Sequence, residues 1–200
     1  EMHKVLTTLV FVFISAMAKA EPLRITAFGD SLVHGYGLNT DQGLVPQLER
    51  WMNDNGADVV LTNAGVSGDT TAGGAARIDW TLSDKPQGLI VLLGGNDLLR
   101  GMQADEAKAN LSTILSAAST QGVEVLLIGM LAPGNFGPDY KAEFDAIYGD
   151  LAAEYDSLLF DDAFAGISAQ VSGDPIAAQR YLQDDGIHPN AEGVALNVAA

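Results

Sequence analysis

The chain has 200 residues, no cysteine, and 26 acidic against 10 basic side chains, for a net charge of −16. That length suits one domain with a sizeable core and is too short for two of ordinary size. The missing cysteine excludes a disulfide scaffold, a thiolate metal site and a cysteine nucleophile, though not export. The acidic field repels phosphate backbones and anionic lipid, so no nucleic acid is expected as a partner.

The first element in chain order reads as a leader. Met2-His3-Lys4 is a short basic start, Val5 to Met17 is mostly apolar, and Ala18-Lys19-Ala20 has the A-x-A form of a signal peptidase site. The apolar run is shorter than the roughly 20 residues of a transmembrane span. The expectation is a signal peptide over 1–20, with Glu1 ahead of Met2 left out of it, and a single domain over 21–200, exported to the periplasm or secreted. A buried N-terminal helix is the alternative.

From Glu21 onward, short apolar runs alternate with longer segments of helical character. Leu23–Phe28, Val59–Thr62, Leu89–Leu93, Val123–Ile128 and Leu158–Phe160 are rich in Val, Ile, Leu or Phe. They show little polar alternation, as strands covered on both faces do. Between them, Leu44–Asn55, Thr70–Thr81, Ala104–Gln121 and Asp139–Tyr155 read as helices. In the third, Ala107, Leu111, Ile114 and Leu115 recur at helical spacing and Gly122 follows as a stop. A last helix starts at Pro189-Asn190 and runs to the C-terminus. The alternation spells an α/β fold, a three-layer α/β/α sandwich around a five-stranded parallel sheet. Sites in such folds gather where the carboxyl ends of strands meet the following loops.

Four motifs sit in that position. Beyond the first strand, "FGDSLVHGY" places Ser31 on a turn that Gly29 permits and whose backbone Asp30 can bond. A serine hydroxyl there is a nucleophile if a base takes its proton, and otherwise the segment is a plain surface turn. Beyond the second strand, Ser67 in "GVSGD" approaches the G-x-S-x-G elbow, but Asp69 stands at the fifth position, so Ser67 reads as a loop residue. Its neighbour Gly68 offers a backbone N–H with no side chain in the way. Beyond the third strand, Asn96 in "VLLGGND" offers a side-chain amide, or stands as a turn residue in a left-handed conformation. With the Ser31 amide these make three donors toward one oxyanion.

The base has few candidates. His3 lies in the leader, and His34, one turn after Ser31, has no acid placed to orient it. In "QDDGIHPN", Asp185 and His188 are three apart on a glycine-containing loop, close enough for the carboxylate to hold one imidazole nitrogen and leave the other for the serine proton. A polar turn capping the last helix is the alternative there.

Taken together, "GDSL" (Gly29–Leu32), "NAGVSGDTT" (Asn63–Thr71), "LLGGNDLLRG" (Leu92–Gly101) and "DGIHPN" (Asp185–Asn190) resemble the SGNH (GDSL-type) hydrolases. Within that family the likeness is to the bacterial periplasmic thioesterase I/protease I/lysophospholipase and arylesterase group. The resemblance implies a flavodoxin-like SGNH hydrolase fold and a serine esterase working through an acyl-enzyme. Its small-molecule substrates would be short-to-medium acyl or aryl esters, extending to thioesters and lysophospholipids. It implies Ser31 as nucleophile, His188 as base and Asp185 as its orienting acid, with Ser31, Gly68 and Asn96 as oxyanion donors. It also implies no metal, no organic cofactor and no stable membrane anchor. The loop Asp97–Met102 resembles the segment that shifts against an acyl chain, which brings Asp97, Leu98 and Leu99 to the substrate. "LAPGNFGPDY" (Leu131–Tyr140) resembles the groove-lining loop, with Phe136 and Tyr140 against the acyl or aryl part or, equally, packed in the core. The final helix, ending in "ALNVAA", is short for the family.

Three rivals share these residues. A carbohydrate O-deacetylase would use the same set with a more polar groove, and a binding module on the same fold has no need of a complete triad. A flavodoxin-like cofactor binder needs a phosphate-cradling loop after the first strand, where this chain has an acid.

Overall fold

The structure, a computed structural model, describes residues 21–200. The leader expected over 1–20 lies outside the described residues. In chain order the elements are β1 (Leu23–Gly29), α1 (Ser31–His34), α2 (Leu44–Asp54), β2 (Val59–Gly65), α3 (Thr71–Leu82), β3 (Gly88–Leu92) and α4 (Gly95–Leu99). There follow α5 (Ala104–Thr120), β4 (Glu124–Ile128), α6 (Pro138–Tyr155), β5 (Leu158–Phe160), α7 (Ala165–Gln170), α8 (Pro175–Ala178) and α9 (Ala191–Ala199).

The five strands form one parallel sheet in the order β2-β1-β3-β4-β5. Helices α3, α5 and α6 pack in sequence over one face, and α1, α2, α9 and α7 form the group on the other. The core follows from the apolar periodicity. On α5, Ala107, Leu111, Ile114, Leu115 and Ala118 are all removed from solvent, and β3 contributes Leu89 to Leu92, all buried. Each fully buried Leu or Ile stabilises the fold by about 2 kcal/mol relative to an exposed one.

After β1 the chain steps outward to β2, then crosses back to place β3 on β1's other side. The carboxyl ends of β1 and β3 therefore lie at the point where the strand order reverses, the usual crevice of an open parallel sheet. Register brings Gly29 level with Gly65 of β2 and Leu92 of β3, so three loops leave the sheet at one height.

Several expectations need correction. β2 does not stop at Thr62 but pairs on to Gly65, because the polar side chain of Asn63 is satisfied in place. It donates to the Val33 carbonyl (2.9 Å) and accepts from the Gly65 amide (2.9 Å). The strands are not all covered on both faces. β2 and β5 are edges, with Val60 exposed and Leu158 72 % exposed. The short helices α1 and α4 stand where only turns were expected. α7 and α8 occupy a stretch that carries no pattern long enough to read. Thr70 and Asn190, expected inside helices, instead cap them. Thr70 accepts from the Gly73 amide, and Asn190 accepts from the Glu192 and Gly193 amides. Among the described residues no helix is long and apolar enough to cross a membrane.

Candidate active site

The turn after β1 is built tightly. A Cβ at Gly29 would run into the Leu92 carbonyl and the Val33 side chain, so only glycine lets β1 and α1 approach β3 so closely. Asp30 caps α1: its Oδ1 accepts from the Leu32 amide at 3.0 Å and its carbonyl accepts from His34 at 2.9 Å. Ser31 is the first residue of α1, and its amide has no partner within so short a helix.

Ser31 Oγ lies 2.8 Å from His188 Nε2, and His188 Nδ1 lies 2.6 Å from Asp185 Oδ2, although 157 residues separate the serine from the histidine. The loop between α8 and α9 holds this geometry itself. Asp185 Oδ1 accepts from the amides of Ile187 (2.9 Å) and His188 (3.0 Å), and the Gln183 amide donates to the His188 carbonyl (2.8 Å). Burial pushes the Asp185 carboxyl upward, but the bonds from the His188 amide, the imidazole and the Ile187 amide outweigh it and hold it at about 2. The Tyr36 ring packs beside the imidazole, centroids 4.8 Å apart. His34 takes no part in this line; its Nδ1 lies 3.3 Å from the Gly65 carbonyl.

The loop after β2 brings Gly68 beside the same serine, at φ +83° with open space around it. Arg100 donates to the Gly68 carbonyl at 2.9 Å. Asn96, in the first turn of α4, donates from Nδ2 to the Asp69 carbonyl at 2.9 Å and reaches Asp30 Oδ2 at 3.4 Å. Arg77 of α3, which sequence reasoning missed, ties these loops together. It donates to Asp69 Oδ2 (2.7 Å), to the Ala64 carbonyl and to the Gly29 carbonyl (2.9 Å each). Its guanidinium lies 4.0 Å over the Phe28 ring. A lone arginine among alanines on α3 gives no sequence signal for that work.

Ser31, Gly68, Asn96, Leu98, Leu99 and Phe136 line one cleft of about 420 Å³. Leu131, from the loop expected to line the groove, adds to its mostly apolar wall, as do Met130, Ile187 and Tyr36, which the sequence did not single out, and the loop residue Ser67 also borders it. Two expected contacts lie elsewhere. Asp97 is fully buried, its Oδ2 accepting from the Thr71 amide (2.9 Å) and its Oδ1 from the Thr71 hydroxyl (2.6 Å), so its side chain fastens α4 to α3 and does not line the cleft. Tyr140 packs behind Phe136, centroids 5.2 Å apart, and donates its hydroxyl to the Met102 carbonyl at 2.9 Å.

Beneath the site, Asp30 is only 2 % exposed. Burial, opposed by the Leu32 amide and by the nearby His188 and Asn96, raises its carboxyl from 3.8 to about 6. Between those values the folded state keeps a proton that the unfolded state releases, so this group's contribution to stability falls as pH rises through the window. Asp30→Asn keeps the acceptor for Leu32 and carries no charge. Its unfolding free energy relative to wild type should therefore rise by on the order of 3 kcal/mol from pH 4 to pH 8. Urea titrations across that range check this, and a difference independent of pH would refute it.

A hydroxyl on an imidazole that is in turn held by a carboxylate, at the carboxyl end of a parallel sheet and beside the amides of Ser31 and Gly68 and the side chain of Asn96, is the equipment of enzymes that attack carbonyl carbons. The chain belongs to the GDSL-like lipase/acylhydrolase family, which matches residues 27–196, and it is a carboxylic ester hydrolase. It is 37% identical over 182 residues to esterase TesA of Pseudomonas aeruginosa, covering 90% of this chain and 86% of that one. It is 34% identical over 177 residues to thioesterase 1/protease 1/lysophospholipase L1 of Escherichia coli K12, covering 88% and 78%. The crystal structure of AlinE4, an SGNH-hydrolase family esterase, superposes with a TM-score of 0.76 at 43% identity, covering 88% of this chain and 91% of its own.

Proposed function

We propose that this chain hydrolyses esters through a serine acyl-enzyme, with Ser31 as nucleophile, His188 as general base and acid, and Asp185 as the group that orients and stabilises the imidazole. The observation that carries the reading is the pair of short hydrogen bonds, 2.6 and 2.8 Å, running from Asp185 through His188 to Ser31. Ser31 Oγ attacks the acyl carbon as His188 Nε2 takes its proton. The amides of Ser31 and Gly68 and the Asn96 side chain receive the oxyanion, for which Asn96 Nδ2 gives up its weaker contact with Asp30 (3.4 Å). His188 then protonates the leaving oxygen or sulfur, and water repeats the steps to free the acid.

The cleft wall supports the substrate class. Leu98, Leu99, Leu131 and Phe136 favour an acyl chain or aryl ring over the hydroxyls of an acetylated sugar. Short-to-medium acyl and aryl esters fit this reading, and the thioesterase and lysophospholipase in the name of the E. coli relative extend it to thioesters and lysophospholipids. Asp97 and Tyr140 serve substrate binding indirectly, by fixing α4 and the Phe136 ring. The basic start, apolar run and Ala18-Lys19-Ala20 support an exported protein whose working domain begins near Glu21.

Incubation with a fluorophosphonate, followed by intact mass and peptide mapping, tests the reading. One adduct, on Ser31, is expected. A folded protein that takes no adduct would overturn it.

A further inference from the structure

At Asp69 the chain departs from the G-x-S-x-G pattern, and the fold gives that aspartate a place of its own. Val66 to Asp69 form a turn closed by the Asp69 amide on the Val66 carbonyl (3.1 Å), with Gly68 at φ +83° in the third position, the form of a type II turn. Nothing beyond the chain neighbours lies within 4 Å of a Cβ built at Gly68, so the dihedral, not lack of space, calls for glycine. The dihedral matters because the Gly68 N–H belongs to the turn's central peptide. Relaxation to the type I form would turn that peptide over and carry the N–H to the opposite face.

One side chain holds both ends of the turn. At its start the Val66 amide donates to the Gly29 carbonyl (2.9 Å), and Arg77 Nη2 donates to the same oxygen (2.9 Å). At its end Arg77 Nε donates to Asp69 Oδ2 at 2.7 Å. The pair is largely buried, the Arg77 side chain 19 % and that of Asp69 14 % exposed. Helix α3 makes room for it, since a Cβ at Gly73 would collide with the Asp69 carboxylate. The Asp69 carbonyl also accepts from Asn96 Nδ2 (2.9 Å) and so fixes the orientation of the Asn96 amide. Ser31, the third donor, follows Gly29 by two residues. Asp69 and Arg77 therefore touch the supports of all three donors, and neither borders the cleft.

We propose that the Asp69–Arg77 pair positions the oxyanion donors: it holds the Gly68 turn and the Asn96 amide at the angle a developing oxyanion needs, without touching substrate. This rests on the serine acyl-enzyme reading above. Such a pair matters for the charged tetrahedral state and little for the bound ester, so its loss appears in kcat and not in KM.

The test compares p-nitrophenyl butyrate with its thionoester, in which sulfur replaces the carbonyl oxygen. Sulfur is a weak acceptor, so the ratio of the two kcat/KM values reports how well the donors are aimed. In Asp69→Ala the oxygen ester should lose about 10²-fold in kcat with KM within about twofold, the effect of displacing a positioned group by about an ångström. The thionoester, drawing little on the donors, should slow by less than about threefold, so the ratio should fall by about thirtyfold. Asp69→Asn keeps an oxygen for Arg77 Nε and should recover most of it. The double variant Asp69→Ala/Arg77→Met leaves no buried charge unpaired and should fall no further than Asp69→Ala alone, because the pair acts as one unit. Both esters are measured on one sample, so protein lost to unfolding cancels from the ratio. A ratio that Asp69→Ala and the double variant leave at the wild-type value, whether both esters slow or neither does, overturns the proposal. Wild-type protein that takes no fluorophosphonate on Ser31 overturns the acyl-enzyme reading beneath it instead.

Discussion

Replacing Ser31 by alanine is expected to slow hydrolysis of a short-acyl p-nitrophenyl ester by about 10⁶-fold while leaving the fold intact, since a triad serine acts as one unit with its partners. On the proposed mechanism the loss removes the atom that would bond the acyl carbon, and it removes the partner of His188 Nε2, 2.8 Å away. The fold should not notice. The side-chain cap of α1 comes from Asp30, not Ser31, and alanine suits the first turn of a helix at least as well. Some catalysis should survive, because Gly68 and Asn96 still present donors to the carbonyl; such remnants amount to about 10³-fold over water. Circular dichroism and a melting curve establish the fold, and initial rates establish the chemistry. A folded Ser31→Ala protein turning over within tenfold of wild type would remove Ser31 from the mechanism.

That prediction rests on residues that stand out in the sequence: Ser31, Gly68 and Asn96 follow strand ends in motifs of small and polar residues, and Asp185 and His188 share a glycine-containing loop ahead of α9. Ser31, Gly68, Asn96, Asp185 and His188 are all legible in this way. So are α5, where Leu111, Ile114 and Leu115 share one face, and β3, where an unbroken apolar run is buried throughout. What escapes the sequence is direction. Asn96 and Asp97 are neighbours in one motif, yet the first turn of α4 aims one toward the cleft and the other inward onto Thr71. No period of hydrophobicity encodes that difference. Arg77 escapes for a related reason: its partners Gly29, Ala64 and Asp69 are backbone or loop groups brought together only by the crossing from β2 to β3. Helices α7 and α8, of six and four residues, are too short to show a repeat. Met130 and Ile187 both line the cleft from segments far apart in the chain, so neither carries a local mark of its role.

Asp185→Asn should lower kcat/KM by about 10⁴-fold in a protein that still folds, for a reason visible in the loop. Oδ1 of Asp185 accepts from two backbone amides, those of Ile187 and His188, while Oδ2 faces His188 Nδ1. Asparagine has one oxygen, and the two amides claim it. Its NH₂ then points at Nδ1, which must accept, and the proton moves to Nε2. Ser31 Oγ would thus meet an N–H where it needs a lone pair, with every heavy atom in place. A group held at about 2 contributes stability that is complete above its unfolded value and lost as pH falls toward 2, so Asp185 stays ionised throughout the neutral range. The deficit of the variant against wild type should accordingly be present from pH 6 to pH 8, not confined to one limb of the profile. Fluorophosphonate labelling of Ser31 should slow in parallel, since it draws on the same base. Full labelling speed in a variant with lost turnover would move Asp185 from orienting the base to some later step, and full turnover would remove it from the site.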